Sequence, residues 1–143
     1  MNSILVVLDT NVCLDLFVFR DPAVKKFHDA IRADMFHLIT RKDCREEWLR
    51  VLDYPKLNLD GTEKERSKLE FDELIQLIEP EKRDYHLLPV CSDKDDQKFM
   101  ELAFDARATV LITKDKALLK LARKNTRHGF FRIIGPDQWK QLL

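Results

Sequence analysis

Five aspartates stand where a carboxylate can do chemistry. Asp9 ends the apolar run Ile4–Leu8, Asp93, Asp95 and Asp96 crowd the segment SDKDD, and Asp115 closes the triplet TKD. Any one of them can be explained as a helix N-cap, since Asp offers an acceptor to the free N–H groups of a first turn. Asp93 fits that explanation best, with Asp96 as the acid three positions on. Asp96 fits it less well, because it lies four residues before Met100 and seven before Ala103, in line with an apolar face. If these side chains share a site, two carboxylates about 4 Å apart repel by about 4 kcal/mol at an effective dielectric of about 20. A cluster of three or four then needs protons or a cation to neutralise it, and a cation is the simpler answer. His28, His37, His86 and His128 show no paired ligand spacing, and Cys13, Cys44 and Cys91 form no CxxC pair. Carboxylates and water suit Mg²⁺ or Mn²⁺, not zinc.

The elements that must position these acids can be read from apolar runs and helix signals. Ile4–Leu8 is continuously apolar, as in a strand buried on both faces, and residues 11–19 continue as a helix or turn. Asp21-Pro22 opens a helix carrying Val24, Phe27 and Ile31. Phe36–Thr40 is a second strand. Asp43 and Glu46 suggest a capping box ahead of the stripe Trp48, Leu49 and Leu52. Pro55 breaks that helix, Asp60-Gly61 turns, and Thr62 with Glu65 suggests another capping box. The helix so opened is expected to bury Phe71, Leu74, Leu77 and Ile78 and to end before Pro80. A third strand is predicted over 86–90, a helix over 95–107, a fourth strand over 110–113, a helix over 116–124, a fifth strand over 131–134, and a closing helix over Pro136–Leu142.

Strands alternating with helices imply right-handed βαβ units. The expected fold is a three-layer α/β/α sandwich with a central, mainly parallel five-stranded sheet. Open sheets of this kind bind ligands beyond the carboxyl ends of their strands. Asp9 follows the first strand directly, Asp93, Asp95 and Asp96 follow the third, and Asp115 follows the fourth, so all are expected at that edge.

Composition narrows the partners. The 143 residues suit a single domain spanning 1–143, with no linker, repeat or low-complexity segment. Lys and Arg number 25, as do Asp and Glu, so a polyanion must be held by a local basic patch. No apolar run approaches the roughly 18–20 residues that span a bilayer, which argues against a membrane protein. MNSILVVLD has no basic segment ahead of its apolar run and no small-residue cleavage site. Together with the odd, scattered cysteines this points to the reducing cytoplasm.

Taken in order, LDTNV after an apolar strand, an acid in a helix before VLDYPKL, then SDKDDQKFMELA and LITKDKALL resemble the PIN-domain nucleases over nearly the whole chain. The likeness extends to the single-domain prokaryotic members described as toxins of toxin–antitoxin pairs. It implies that Asp9, Glu47, Asp96 and Asp115 are the catalytic acids, and that they hold the metal together with Asp93. Glu46 is left to capping. Asn11, orienting the Asp9 carboxylate, and the Thr113 hydroxyl would be supporting residues. Lys94 stands where many relatives carry proline. The implied activity is hydrolysis of RNA phosphodiesters by metal-activated water, leaving a 5′-phosphate and a 3′-hydroxyl. An antitoxin protein and a homodimer are the implied protein partners.

Two other classes fit parts of the pattern. DTNVC resembles the nucleophile motif of aspartyl-phosphate phosphatases, but that chemistry needs a second carboxylate where this chain has Asn11. A non-catalytic PIN-fold protein that binds nucleic acid or acts as a scaffold is the other. Among the basic residues, Lys114 and Lys116 flank Asp115 and are the candidates for gripping RNA phosphates. Lys114 could equally serve only to neutralise the acids.

Overall fold

The computed structural model describes residues 4–143. Five parallel strands form one sheet in the order β3-β2-β1-β4-β5: β1 Ile4–Leu8, β2 Phe36–Thr40, β3 Ile75–Leu77, β4 Val110–Ile112 and β5 Arg132–Ile134. Helices α1 Thr10–Phe17, α2 Lys25–Arg32, α3 Lys42–Leu52, α4 Gly61–Leu74, α5 Gln97–Asp105, α6 Lys116–Leu119 and α7 Ala122–Arg127 supply the outer layers. The layering follows from strand alternation, which sends successive side chains to opposite faces. Val6, Leu38 and Ile112 point into a core with Phe17, Phe27, Trp48 and Phe71. Val7, Ile39 and Leu111 point into the other, with Phe99, Met100, Leu102 and Leu118. In the first core Trp48 stacks on Phe71 with ring centroids 4.9 Å apart, and Phe17 meets both edge-on.

The third strand is not where the apolar run HLLPV suggests. The chain leaves α4 at Leu74, turns extended at Ile75 (φ −120°, ψ 121°), and pairs Ile75 with Leu38 at the sheet edge. Only Ile75 of this strand is buried, so Leu77, expected on the buried face of a helix, lies exposed on the strand instead. Residues 86–90 are instead a loop. Pro89 has no N–H for a ladder, Leu88 turns back on the Tyr85 carbonyl, and Leu87 and Val90 face solvent. The loop is pinned to α5: Gln97 accepts from the Cys91 N–H at 2.7 Å and donates to the Pro89 carbonyl at 3.2 Å. The Asp93–Asp96 acids therefore arrive on a tethered loop and not on a strand end.

Smaller differences are local. The capping box of α4 is Asp60 with Glu63, not Thr62 with Glu65, because Asp60 rather than Thr62 occupies the extended cap position. At α3 the cap residue is Arg41, Asp43 sits in the first turn, and Glu46 is exposed. The helix expected over 116–124 is broken into α6 and α7 at residues 120 and 121, and Pro136–Leu142 is a 3₁₀ helix. Among the described residues no helix is long and apolar enough to cross a membrane.

Candidate active site

The strand order reverses between β1 and β4, and the crevice beyond their carboxyl ends is where such sheets take ligands. Asp9 closes β1 on that edge. Its Oδ1 accepts the Val12 N–H at 3.0 Å, so it does cap α1, and its Oδ2 accepts the Thr113 hydroxyl. Asp9 is almost wholly buried, and burial raises its pKa to about 6 against the lowering effect of those two hydrogen bonds. Thr113, just past β4, serves two acids at once. While donating to Asp9, its oxygen accepts the Asp115 N–H at 2.9 Å.

Asp115 caps α6 through the Ala117 N–H at 2.8 Å, and Asp93 caps the 3₁₀ turn Lys94–Asp96 through the Asp95 N–H at 3.0 Å. Capping and clustering thus coexist in the same side chains. Among the described residues, Asp93, Asp96 and Asp115 each offer a carboxylate oxygen within 4.8 Å of the others. At that separation two unit charges repel by at least about 3 kcal/mol at an effective dielectric of about 20. This repulsion raises the proton affinity of the cluster. Asp96 is pushed up to about 8, chiefly by burial, then by its hydrogen bond with Asp115 and by the charges of Asp115, Asp93 and Asp9. Asp115 is correspondingly held below the usual carboxylate range by that same hydrogen bond.

The second oxygen of Asp96, Oδ2, is buried without a protein partner. An orphaned acceptor of this kind costs about 1–3 kcal/mol, and more so beside other acids. A hard cation satisfies it, and an all-oxygen donor set is the set Mg²⁺ or Mn²⁺ takes. The residues present fit such an ion.

Glu47 belongs to a hydrogen-bond chain of its own, joined to the segment carrying Asp93 and Asp96 through Lys98. The Thr10 hydroxyl donates to its Oε2, and the Lys98 ammonium sits 2.5 Å from its Oε1 while also donating to the Asp95 carbonyl. Both Glu47 and Lys98 are mostly buried, at 18% and 16% side-chain exposure, which strengthens the pair relative to a surface one. Lys98 is a partner of these acids that the sequence does not announce, since a lysine two past an acid on a helix ordinarily faces solvent. Thr10 is announced only as a small polar residue after Asp9.

The lysines and the asparagine also resolve. Lys114 places its ammonium 2.6 Å from Asp15, a buried carboxylate of α1, and its charge lowers Asp9. It neutralises acids. Lys116 is exposed and, among the described residues, makes no ion pair. Asn11 is exposed too, and the hydrogen bonds on Asp9 come from Thr113 and Val12.

A family model described as PIN domain matches residues 5–117, a span that holds every acid of this site. No curated protein matches the chain.

Proposed function

The chain belongs to the PIN domain family, whose members are generally nucleases using divalent metals, and from that premise we propose that it is a Mg²⁺- or Mn²⁺-dependent endoribonuclease. The observation that carries the reading is the trio Asp93, Asp96 and Asp115 at the switch point, with the buried Asp96 oxygen lacking a protein partner. Those three residues would hold the metal, with Asp9 and Glu47 flanking it. A divalent ion bound there supplies an activated water and charge stabilisation at the phosphate. The chain's own groups prepare the site. Thr113 fixes the relative placement of Asp9 and Asp115, which makes the cluster a preorganised one. Thr10 and Lys98 hold Glu47 in one orientation and limit the net negative charge an RNA phosphate meets. The odd, buried, free cysteines suit a reducing cytoplasm, and we take 1–143 as one domain.

The test is incubation with Mn²⁺ and three substrates: single-stranded RNA, a DNA oligomer and a phosphomonoester. Internal cleavage of the RNA is expected, with the phosphomonoester left intact. Turnover of the phosphomonoester alone would establish the phosphatase reading, and no turnover of any substrate would leave a binding protein. Exposed Asn11, which can neither give nor take a proton in place of a second acid, argues against the phosphatase.

Lys116, free of acid partners among the described residues, is assigned a flanking phosphate. Releasing one phosphate of a single strand from its cation flattens the slope of log K against log salt by about 0.7. Lys116→Ala is expected to do this, whereas Lys114→Ala, which strands buried Asp15, should instead lower stability. Equal slopes for the parent and Lys116→Ala would place the RNA path elsewhere.

A further inference from the structure

The opposite edge of the sheet carries a second feature, independent of the acids. An open cleft of about 420 Å³ lies where the chain enters β4 and β5. Thr109, on its wall, precedes β4, while Thr113 of the acid site follows it. Four residues of extended chain, about 13 Å, separate the two edges. Arg83, Arg107 and His128 line the cleft with Phe104 and Phe130, and no Asp or Glu does. In a chain of zero formal charge that is a local departure. Asp105, next to Phe104, is already engaged by the Arg83 N–H, the Tyr85 hydroxyl and Arg41.

The cations are held in different ways. The Arg83 guanidinium lies 3.9 Å over the Phe104 ring and donates to the Phe104 carbonyl at 2.8 Å, so its position is set before any ligand arrives. Arg107 follows the last turn of α5 with φ 53°, in the left-handed region where glycine is favoured at a helix end. It is exposed, and among the described residues it has no carboxylate partner. His128 is exposed and stacks on Phe130 with ring centroids 5.4 Å apart at 21°. An inorganic phosphate would fill a small part of this space, which falls in the range of about 300–1,000 Å³ that holds small organic ligands. Guanidinium groups recognise phosphate, and exposed aromatic and imidazole faces take nucleobases.

We propose that this cleft binds a nucleotide, with the phosphate on Arg107 and Arg83 and the base against His128 and Phe130. A free nucleotide and the 5′-phosphorylated end of an RNA chain share that chemistry. The test uses the full chain in EDTA, where cleavage is excluded, and follows backbone amide NMR spectra. Adenosine 5′-monophosphate is expected to shift the amides of residues 107–109 and 128–131 saturably. Arg107→Gly relieves the left-handed backbone, so it should keep or raise the melting temperature while weakening binding at least about tenfold. His128→Ala, on the surface, should weaken the nucleotide and leave inorganic phosphate unaffected. A 5′-phosphorylated single-stranded RNA that binds more tightly than both the mononucleotide and its 5′-hydroxyl counterpart identifies the RNA end as the source. Equal binding of mononucleotide and phosphorylated RNA identifies the free nucleotide. Shifts confined to the acid edge, no saturable shift, inorganic phosphate matching the mononucleotide, or unaltered binding by Arg107→Gly would overturn the proposal.

Discussion

Asp96→Asn is expected to lower RNA turnover by at least about a hundredfold while making the metal-free protein more stable. Removing a partner that merely orients a metal ligand costs about 10–100-fold, and Asp96 is assigned as a ligand, so its loss should exceed that range. The stability gain comes from the same geometry. Asp96 stands with Asp93 and Asp115 inside a 4.8 Å cluster, and Asn removes one of three like charges. The asparagine amide can also donate to Asp115, replacing the proton that Asp96 has to carry. Melting temperature in EDTA at about pH 8, where the acid would otherwise be ionising, should therefore rise, and millimolar Mn²⁺ should shift it far less than it shifts the parent. A fully active Asp96→Asn protein would remove Asp96 from the catalytic machinery, whatever its stability.

The metal-free protein is expected to lose stability as pH rises from about 4 to about 8. Asp9 goes from 3.8 to about 6 on folding and Asp96 from 3.8 to about 8. Between the unfolded and folded values the native state holds protons that the unfolded chain has released, so increasing pH favours unfolding. For Asp9, which is almost wholly buried, the shift of about two pH units corresponds to about 3 kcal/mol lost by pH 8. Asp96 adds to the loss across the whole window and carries it alone above about pH 6. The acids with lowered values, Asp43, Glu70 and Asp115, act with the opposite sign, but their contribution is complete above the unfolded values and disappears only as pH falls below them. They do not offset the trend between pH 5 and 8. Denaturant unfolding in EDTA at several pH values measures it directly. Saturating Mg²⁺ should flatten the curve, because binding requires the deprotonated carboxylates and releases the proton the cluster holds. Metal-free stability that stays level or climbs across this window would mean the acids are better solvated than their burial implies.

Much of the fold was legible because its signals are local. Ile4–Leu8 and Phe36–Thr40 are apolar runs next to helix starts, and a buried strand needs little more to be recognised. Asp9 and Asp115 are visible as acids at strand ends, since a strand followed at once by a helix places its cap residue at the carboxyl edge. The third strand was hidden because it is three residues long, grows straight out of α4, and buries one side chain. Its neighbour in sequence, HLLPV, carries more apolar residues and yet cannot join a ladder through Pro89. The pairings of the site were not legible at all. Thr113 meets Asp9 across 104 positions, Lys98 meets Glu47 across 51, and Thr10 meets Glu47 across 37. In sequence, Thr10 and Lys98 cannot be told from the threonines and lysines of any solvated helix, and Lys114 stands out only as a cation beside Asp115, with nothing to point to Asp15. Lys114 pairs with Asp15 only because β4 lies beside β1, which brings the start of α6 against α1. Local propensity decides which residues end a strand or cap a helix. Which carboxylates share a proton, and which find a lysine, is decided by the order in which the strands lie side by side, since charges separated by many residues interact only once packing has brought them within a few ångströms.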